Sequence, residues 1–442
     1  MKICLINLPS PALAEPWSNF PLGLGYVAAS MERRGYDVSV WDLCSKGSIN
    51  PESLVSGLDI PQADIYGLSV TTPQHSIAMV MAGLIKNIYP KALVVAGGPH
   101  ALVARDSFYG IGTYNTNLVD SVVIEEGEFS FYEAVRHYEL YGKIEPAYWN
   151  QPIRLLDELP FPARHLFKNF KENALNSTQL LKGNYADGGQ TTVISSRGCP
   201  NRCSFCIPHH RKVRFRSPEN IIAELRHLID KWDICQFKWQ DDTFTLHRKR
   251  LLKLCHLIKK QLPQTYHWAQ TRVDVFDEEM AGSMWAAGFR ILCFGIESFS
   301  QKLLNLNNKN IWVDQIEYCL RIAKNYGFKT HGFLIFGMPG EDEKTVKETK
   351  AGILRNKKYL DYLNLSTLVP LPGTPLRENP GQFACEIVEE DWQKYWIINH
   401  ENSDDVLVTT KGVPVKKMRK LKRGMYQFMR DQGFARPEWE KN

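Results

Sequence analysis

The sequence predicts an α/β protein in two unequal parts, a doubly wound parallel sheet followed by a partial (β/α)6 barrel, with a small helical extension at the end. Three observations carry this reading. Short β-branched apolar runs alternate with helical patterns through residues 1–140, the alternation fails over residues 141–182, and it then resumes for six further strand-helix units.

The first five runs lie at residues 2–7, 38–43, 64–70, 92–96 and 120–124. Each is short, rich in β-branched apolar residues and followed by a helical pattern, which implies a parallel sheet covered on both faces. Ligands of such sheets sit beyond the carboxyl ends of the strands, where the strand order reverses. Those ends read Asn7-Leu8-Pro9, Ser69-Val70-Thr71-Thr72-Pro73, Gly97-Gly98-Pro99-His100 and Glu125-Glu126-Gly127-Glu128, small and Gly-rich enough for backbone to approach a large ligand. Pro146, Pro152, Pro160 and Pro162 then punctuate the linker, residues 141–182. The barrel, residues 183–376, is expected to place strands at 191–196, 236–240, 266–270, 290–295, 329–336 and 362–368. Six units without a seventh or eighth indicate an incomplete barrel with its active site at the strand carboxyl ends. Residues 377–442, with the basic helix-prone stretch 414–432, form the extension.

Composition narrows the function. A chain of 442 residues with 44% hydrophobic content can bury two or three cores. Its 54 Lys and Arg exceed 48 Asp and Glu too slightly, for this length, to hold nucleic acid by phosphate neutralisation. No apolar run approaches the ~20 residues of a membrane span, and the Pro-broken start does not read as a secretory leader, so a cytoplasmic location is expected. The ten cysteines are too sparse for a disulfide framework. Seven stand alone, mostly among apolar neighbours; Cys199, Cys203 and Cys206 crowd together.

Those three fall in Ser195-Ser196-Arg197-Gly198-Cys199-Pro200-Asn201-Arg202-Cys203-Ser204-Phe205-Cys206, directly after the first barrel strand. Three thiolates within eight residues can ligate three irons of a cubane and leave the fourth open. The open iron can chelate the amino and carboxylate groups of a methionine, as S-adenosylmethionine (SAM) supplies. The competing reading is a zinc knuckle completed by His209 or His210.

The cysteine segment, with Phe205 before the third Cys, and the six βα units resemble the radical SAM superfamily. With the N-terminal sheet, Pro21-Leu22-Gly23-Leu24-Gly25-Tyr26, the Gly97 and Glu125 loops and the segment Leu155-Leu156-Asp157-Glu158-Leu159-Pro160-Phe161-Pro162-Ala163-Arg164, the chain resembles the cobalamin-dependent subfamily over about residues 1–380. The resemblance implies a flavodoxin- or Rossmann-like cobalamin-binding domain at residues 1–140 and a 4Fe-4S cluster on Cys199, Cys203 and Cys206. It also implies a SAM site near Phe205, Gln240, Asp241, Asp242, Arg272, Glu297 and Ser298. Arg272 would pair with the SAM carboxylate through its guanidinium fork, and Glu297 should carry a polar partner if buried. Asp242 with Thr243 also reads as the cap of the next helix. Cobalamin would rest on Ser69, Thr71, Thr72, Gly97, Gly98, Pro99, His100, Glu126, Gly127 and Glu128, its lower face near residues 69–74. No Asp-x-His-x-x-Gly segment supplies an axial histidine, and His100 reads as a loop or tail contact rather than a cobalt ligand.

The activity so implied is that of a C-methyltransferase, moving a methyl from methylcobalamin to an unactivated carbon after hydrogen abstraction by a 5'-deoxyadenosyl radical. The alternative keeps both cofactors but cyclises or rearranges the substrate without methylation. A tRNA methylthiotransferase would need three further cysteines where residues 1–150 offer only Cys4 and Cys44, and a non-catalytic cobalamin sensor would not need the intact three-Cys motif. The expected partners are a small-molecule or natural-product substrate and a reductant such as flavodoxin or ferredoxin. Trp392, Tyr395 and Trp396 suggest an aromatic wall.

Overall fold

The computed structural model describes residues 1–9, 18–44, 59–109, 118–176, 188–207, 210–395 and 405–434. They form two compact units, one of residues 1–177 with Trp392–Lys394, the other of residues 178–391 with 395–442.

In the first unit, β1 (Lys2–Asn7), α1 (Leu22–Arg33), β2 (Asp37–Asp42), β3 (Ile65–Ser69), α2 (His75–Ile88), β4 (Leu93–Gly97), α3 (Pro99–Ala104), β5 (Ser121–Ile124), α4 (Gly127–Tyr141), β6 (Ala147–Trp149) and α5 (Phe170–Asn176) follow in order. The sheet runs β2-β1-β3-β4-β5-β6, parallel throughout. Its first five strands have the flavodoxin-like order, so the reversal falls between β1 and β3. The inner strands are buried on both faces, Cys4, Ile6, Tyr66, Leu68, Val94 and Ala96 joining one core with Ile77, Met81 and Ile85 of α2. Helices α1 and α4 pack closely enough that a Cβ on Gly127 would lie 2.9 Å from Val27.

Two expectations change here. Strand β6 was not foreseen, since three residues between prolines carry no readable period. The stretch expected as linker also belongs largely to this unit: β6 extends the sheet, Ala163 N–H donates to Gly25 O at 3.0 Å, and Phe20 packs edge-on against Phe167 with centroids 4.6 Å apart.

The second unit contains β7 (Gly189–Val193), the short strands β8 (Ser196–Arg197) and β9 (Arg214–Phe215), α6 (Pro218–Trp232), β10 (Ile234–Trp239), α7 (Arg248–Gln261), β11 (Tyr266–Thr271), α8 (Glu278–Ala286), β12 (Phe289–Glu297), α9 (Gln301–Leu306), α10 (Val313–Tyr326), β13 (Lys329–Phe336), α11 (Glu343–Asn356), β14 (Tyr362–Thr367), α12 (Pro375–Glu378), β15 (Cys385–Ile387), β16 (Val408–Thr410) and α13 (Val415–Asp431). Its main sheet runs β14-β13-β12-β11-β10-β7, every pair parallel, which is the six-stranded partial barrel. Burial alternates along the last two strands: Leu334, Phe336, Leu363 and Leu365 are buried, whereas Phe333, Ile335, Asn364 and Ser366 are only partly so. One face of the sheet therefore lies under helices while the other lines an open bowl.

Local signals set the helix ends. Ser217 caps α6, accepting from Asn220 N–H, with Pro218 at the first helical position. Asp342 caps α11, accepting from Lys344 and Thr345 N–H, and Gly327 ends α10 in a left-handed conformation. The extension is not purely helical, because β15 and β16 form an antiparallel ribbon before α13. Among the described residues no helix is long and apolar enough to cross a membrane.

Gly288, between α8 and β12, has φ +88°, and a Cβ there would lie 2.2 Å from Thr265 O. Gly288→Ala should therefore lower unfolding stability by about 2–3 kcal/mol, read as a fall in the urea midpoint, since the strained backbone and the clash add.

Candidate functional site

In the second unit the three cysteines lie on a loop held from outside. Strands β8 and β9 pair antiparallel, Ser196 opposite Phe215 and Arg197 opposite Arg214, and close the loop as a ribbon. Gly198 has φ +99° and its Cβ would lie 2.6 Å from His210 O, while Cys199 N–H donates to that same oxygen at 2.9 Å. Ser204 donates N–H to Asn307 O at 3.0 Å and Oγ–H to Asn307 Oδ1 at 2.9 Å, and its carbonyl accepts from Leu376 N–H at 3.0 Å. Phe205 packs on Leu368, Leu376, Cys385 and Val408, tying the loop to the extension.

Cys199 is half-buried, Cys203 buried and Cys206 exposed. Burial pushes the Cys203 thiol up, against the nearby Lys309 and Arg272. Although one side of Cys206 is accessible, the surrounding protein, with Cys203 and Asp242 adding, pushes its thiol up to about 12. Such thiols lose their protons to a bound metal rather than to water. Asn201 Nδ2 approaches Cys199 Sγ at 3.3 Å, and Arg272 Nη1 lies 3.9 Å from Cys203 Sγ, so donors already face two of the sulfurs. Among the described residues no three His, Cys, Asp or Glu side chains converge as a single ion requires. Three thiols on one loop, with donors facing two of the sulfurs, fit a cluster that takes three protein ligands. His209 lies outside the described residues.

The expected SAM residues divide into braces and site walls. Asp241 is fully buried at the end of β10, accepting from Ser195 N–H at 3.0 Å, Ser195 Oγ at 2.6 Å and Ser196 Oγ at 2.5 Å. Burial pushes its carboxyl up and these bonds oppose the shift. With both oxygens engaged, Asp241 braces the cysteine loop. Gln240 continues the strand pairing through N–H to Val193 O at 2.8 Å, and Asp242 is exposed beside the loop. Asp242 and Thr243 do not cap the following helix: α7 begins at Arg248 and its cap is His247.

Arg272 is buried, its fork held by Asp274, with Nε to Oδ1 and Nη2 to Oδ2 both at 2.9 Å. Nη2 also donates to Lys309 O at 2.8 Å. The expected carboxylate clasp is thus taken by a side chain of this chain, leaving Nη1 toward Cys203. Glu297 sits at the end of β12 with φ +61°, after a register shift, and Lys309 supplies its partner, Nζ to Oε1 at 2.6 Å. Gly295 makes room for that pair, since its Cβ would lie 2.7 Å from Glu297 Oε1 and 2.9 Å from Lys309 Nζ. Ser298 instead bonds Thr349 Oγ1 at 2.8 Å and accepts from Ser300 N–H at 3.0 Å. Sequence reasoning missed Lys309 and Asn307. The readable signal was the run of asparagines, for Asn308 and Asn310 on either side of Lys309 are both left-handed. A buried ion pair beside the cysteine loop offers charges of both signs, which fits the zwitterionic end of an amino acid such as SAM.

In the first unit the strand-end loops meet at the reversal point. Gln74 Nε2 donates to Leu8 O at 2.9 Å and Pro9 O at 3.2 Å, bridging the ends of β1 and β3, while its Oε1 accepts from Thr71 N–H and Oγ1–H at 3.1 and 2.7 Å. Gly97 O accepts from Val70 N–H at 2.9 Å, and Val70 O accepts from His100 N–H at 3.0 Å. Gly98 has φ +91°, and its Cβ would lie 2.8 Å from Val70 N and 3.2 Å from Ser69 Oγ. Pro99 starts α3 and is exposed.

His100 is wholly buried, with Nδ1 at 3.2 Å from Thr72 Oγ1 and Nε2 at 3.1 Å from Ser107 Oγ. Ser107 spends its hydroxyl proton on Ala104 O at 2.7 Å, so His100 must donate from Nε2 and accept at Nδ1. Neither nitrogen is left for cobalt. Its ring stands 4.8 Å from His75 and 4.7 Å from Trp392, forming an aromatic nest with Phe108. His75, which the sequence did not single out, is buried with Nε2 unpartnered among the described residues. Trp392 also borders a cavity of about 660 Å³ with Leu102, Ser107, Ile124 and Trp149. At the end of β5, Glu125 is left-handed at φ +71°, Glu126 accepts from Ile153 N–H at 2.7 Å, Gly127 serves the α1–α4 approach, and Glu128 is buried in the first turn of α4. An orphaned imidazole nitrogen, the close Gly98 turn and a cavity at the strand ends fit a large polar ligand such as cobalamin.

The profile of the Radical SAM superfamily matches residues 193–351, and that of the B12 binding domain matches residues 18–135. The chain belongs to the cobalamin-dependent radical SAM family. It is 31% identical over 416 residues to an uncharacterised methyltransferase, PH0819, of Pyrococcus horikoshii, an alignment covering 90% of this chain and 87% of that one. It is 27% identical to cytidylyl-2-hydroxyethylphosphonate methyltransferase of Streptomyces wedmorensis, covering 79% of this chain and 76% of the other. Its fold matches that of OxsB, a cobalamin-dependent SAM radical enzyme solved with aqua-cobalamin and SAM, with TM-score 0.73 at 16% identity over 100% of this chain and 69% of that one. The two domains imply a 4Fe-4S cluster with SAM in the second unit and cobalamin in the first.

Burial holds His100 at a pKa of about 3, with His75 adding repulsion. Between that value and ~6.5 the unfolded chain binds a proton that the folded chain refuses, so stability falls as pH drops through this window. His100→Asn should reduce the loss of urea stability between pH 7 and pH 5 by about 2 kcal/mol, measured as a change in slope against wild type.

Proposed function

We propose that this protein is a C-methyltransferase acting on a small molecule through cobalamin and a radical generated from SAM. The observation that carries the reading is the pairing of a B12-binding sheet with a three-cysteine partial barrel in one chain, shared over 90% of its length with a protein named a methyltransferase. When bound, cluster and SAM supply a radical able to take hydrogen from an unactivated carbon, and cobalamin supplies the methyl group.

The chain's own residues bind, orient and exclude water. Cys199, Cys203 and Cys206 would hold three irons, and the loop is prearranged for this by Asp241, Asn307 and the β8–β9 ribbon. Arg272 sets positive charge beside Cys203, where a cluster with three thiolates is anionic. Lys309 and Glu297 offer the charges that match the carboxylate and ammonium of SAM. In the first unit, His75, Gly98 and the loop at residues 69–74 would receive cobalamin. The bowl of the partial barrel, with Phe333, Ile335, Asn364 and Ser366 partly exposed and Lys238 lying 4.1 Å over the Trp268 ring, would receive the substrate.

The reductant belongs to this proposal, a one-electron donor of the flavodoxin or ferredoxin class. After anaerobic reconstitution, wild type should cleave SAM, and with authentic substrate should release S-adenosylhomocysteine together with 5'-deoxyadenosine. Release of 5'-deoxyadenosine alone would replace methylation by the cyclising or rearranging alternative. Changing any one of the three cysteines to Ala should abolish SAM cleavage and reduce bound iron, while the cobalamin absorbance spectrum remains.

A further inference from the structure

Helix α13 contains Lys416, Lys417, Arg419, Lys420, Lys422, Arg423 and Arg430 against a single acid, Asp431, so it carries a net +6. The whole chain also carries +6. Everything outside this one helix is therefore neutral on balance, and the excess positive charge of the protein is gathered on a single 17-residue element.

The charge is displayed rather than spent. Met418, Met425, Tyr426 and Met429 are buried, and Tyr426 Oη–H donates to Leu365 O at 2.9 Å, seating the helix beside the edge strand β14. Lys350 Nζ donates to Gly424 O at 2.9 Å from α11. Of the cations, Lys422 is buried and bonded to Asp405 O at 2.8 Å, and Lys417 pairs with Glu343 at 3.2 Å. Lys416, Arg419 and Lys420 are exposed, follow the i, i+3, i+4 spacing of one helical face, and make no ion pair among the described residues. Helix propensity and packing are satisfied without them. Like charges so close repel one another, which costs stability unless a partner answers them.

The position of the helix indicates which partner. α13 starts five residues after Thr410 of β16, and β16 forms the ribbon whose Val408 packs with Phe205, the neighbour of Cys206. Leu376, in the same apolar group, donates its N–H to Ser204 O within the cysteine loop. The basic face is thus one short connection from the elements that clasp the cluster loop. A ligand for that loop alone would not explain a charged face directed to solvent, whereas an electron carrier must dock near it.

We infer that the exposed basic face of α13 is the docking surface for an acidic one-electron carrier protein of the flavodoxin or ferredoxin class. The inference rests on the radical reading above. In the docked complex one electron passes from the reduced carrier to the cluster for each SAM cleaved; the carrier is oxidised by one electron and no proton need accompany it. Clustered rim charges of this kind act mainly on encounter rate and are sensitive to salt.

The test compares reconstituted full-length wild type with the triple variant K416E, R419E, K420E. SAM cleavage is driven either by an acidic flavodoxin with its NADPH-dependent reductase or by dithionite, and flavodoxin binding is measured separately by calorimetry. The variant should bind flavodoxin about tenfold more weakly and show a matching rise in KM for it, while its dithionite-driven rate stays at the wild-type value. Wild type should lose its advantage at about 0.5 M sodium chloride. The milder K416Q, R419Q, K420Q variant should fall between the two. Unchanged flavodoxin affinity and KM in the charge-reversed protein would overturn the proposal, as would an equal loss with dithionite, which would make the helix a structural part of the site. Retention of phosphatidylglycerol vesicles or duplex DNA by wild type, lost in the variant while flavodoxin binding persists, would assign the face to another partner and overturn it too. If wild type cleaves no SAM even with dithionite, the radical reading itself falls and takes this inference with it.

Discussion

The catalytic half of this protein depends on one buried carboxylate. Asp241 leaves β10 into a fully enclosed position, where an ionised acid is costly unless its oxygens are matched. They are matched by Ser195 N–H and by the hydroxyls of Ser195 and Ser196. That set joins two neighbouring strands at their carboxyl ends and fixes where the chain turns into the cysteine loop. The antiparallel ribbon, the Ser204–Asn307 bonds and the Phe205 contacts then continue the same support around the loop. Remove the brace and the three sulfurs lose the frame that sets their mutual geometry.

The first unit solves a similar problem with backbone. Its strand order reverses between β1 and β3, where a ligand crevice is expected. Gln74 spans that reversal by bonding both flanking loops, and Gly98 lets the β4 loop settle against Val70. His100 completes the fit as a neutral, doubly bonded side chain. Polar atoms are thereby committed to shaping the crevice, while His75 Nε2 has no partner among the described residues.

Much of the architecture was legible because parallel strands leave short, β-branched-rich apolar runs that alternate with helical patterns. All eleven anticipated strands occur with shifts of a few residues at their ends. The missed strands are short and lack that signal: β6 lies among prolines, β8 and β9 have two residues each, and β15 and β16 owe their pairing to the apolar group around Phe205. For the site, the cysteine spacing was readable because its chemistry is local. The surroundings were less so. Arg272 could be placed near the cysteines, but its engagement by Asp274 two residues on could not, and the partner of Glu297 came from a turn twelve residues away. Asp241 and Ser298 look like ligands by position and act as braces by geometry, a distinction that only hydrogen-bond partners reveal.

The external bracing of the cysteine loop has a consequence for a protein that meets oxygen. Where a metal organises its own binding loop, losing the metal releases the chain, and rebinding must again overcome the entropy of ordering it. Here the ribbon, Asp241, Asn307 and the Phe205 anchor hold the loop through contacts that use none of the thiols of Cys199, Cys203 and Cys206. If the three thiols hold the cluster as proposed, oxidative loss of the iron would leave a shaped receptacle rather than a loose end, and repair would amount to refilling.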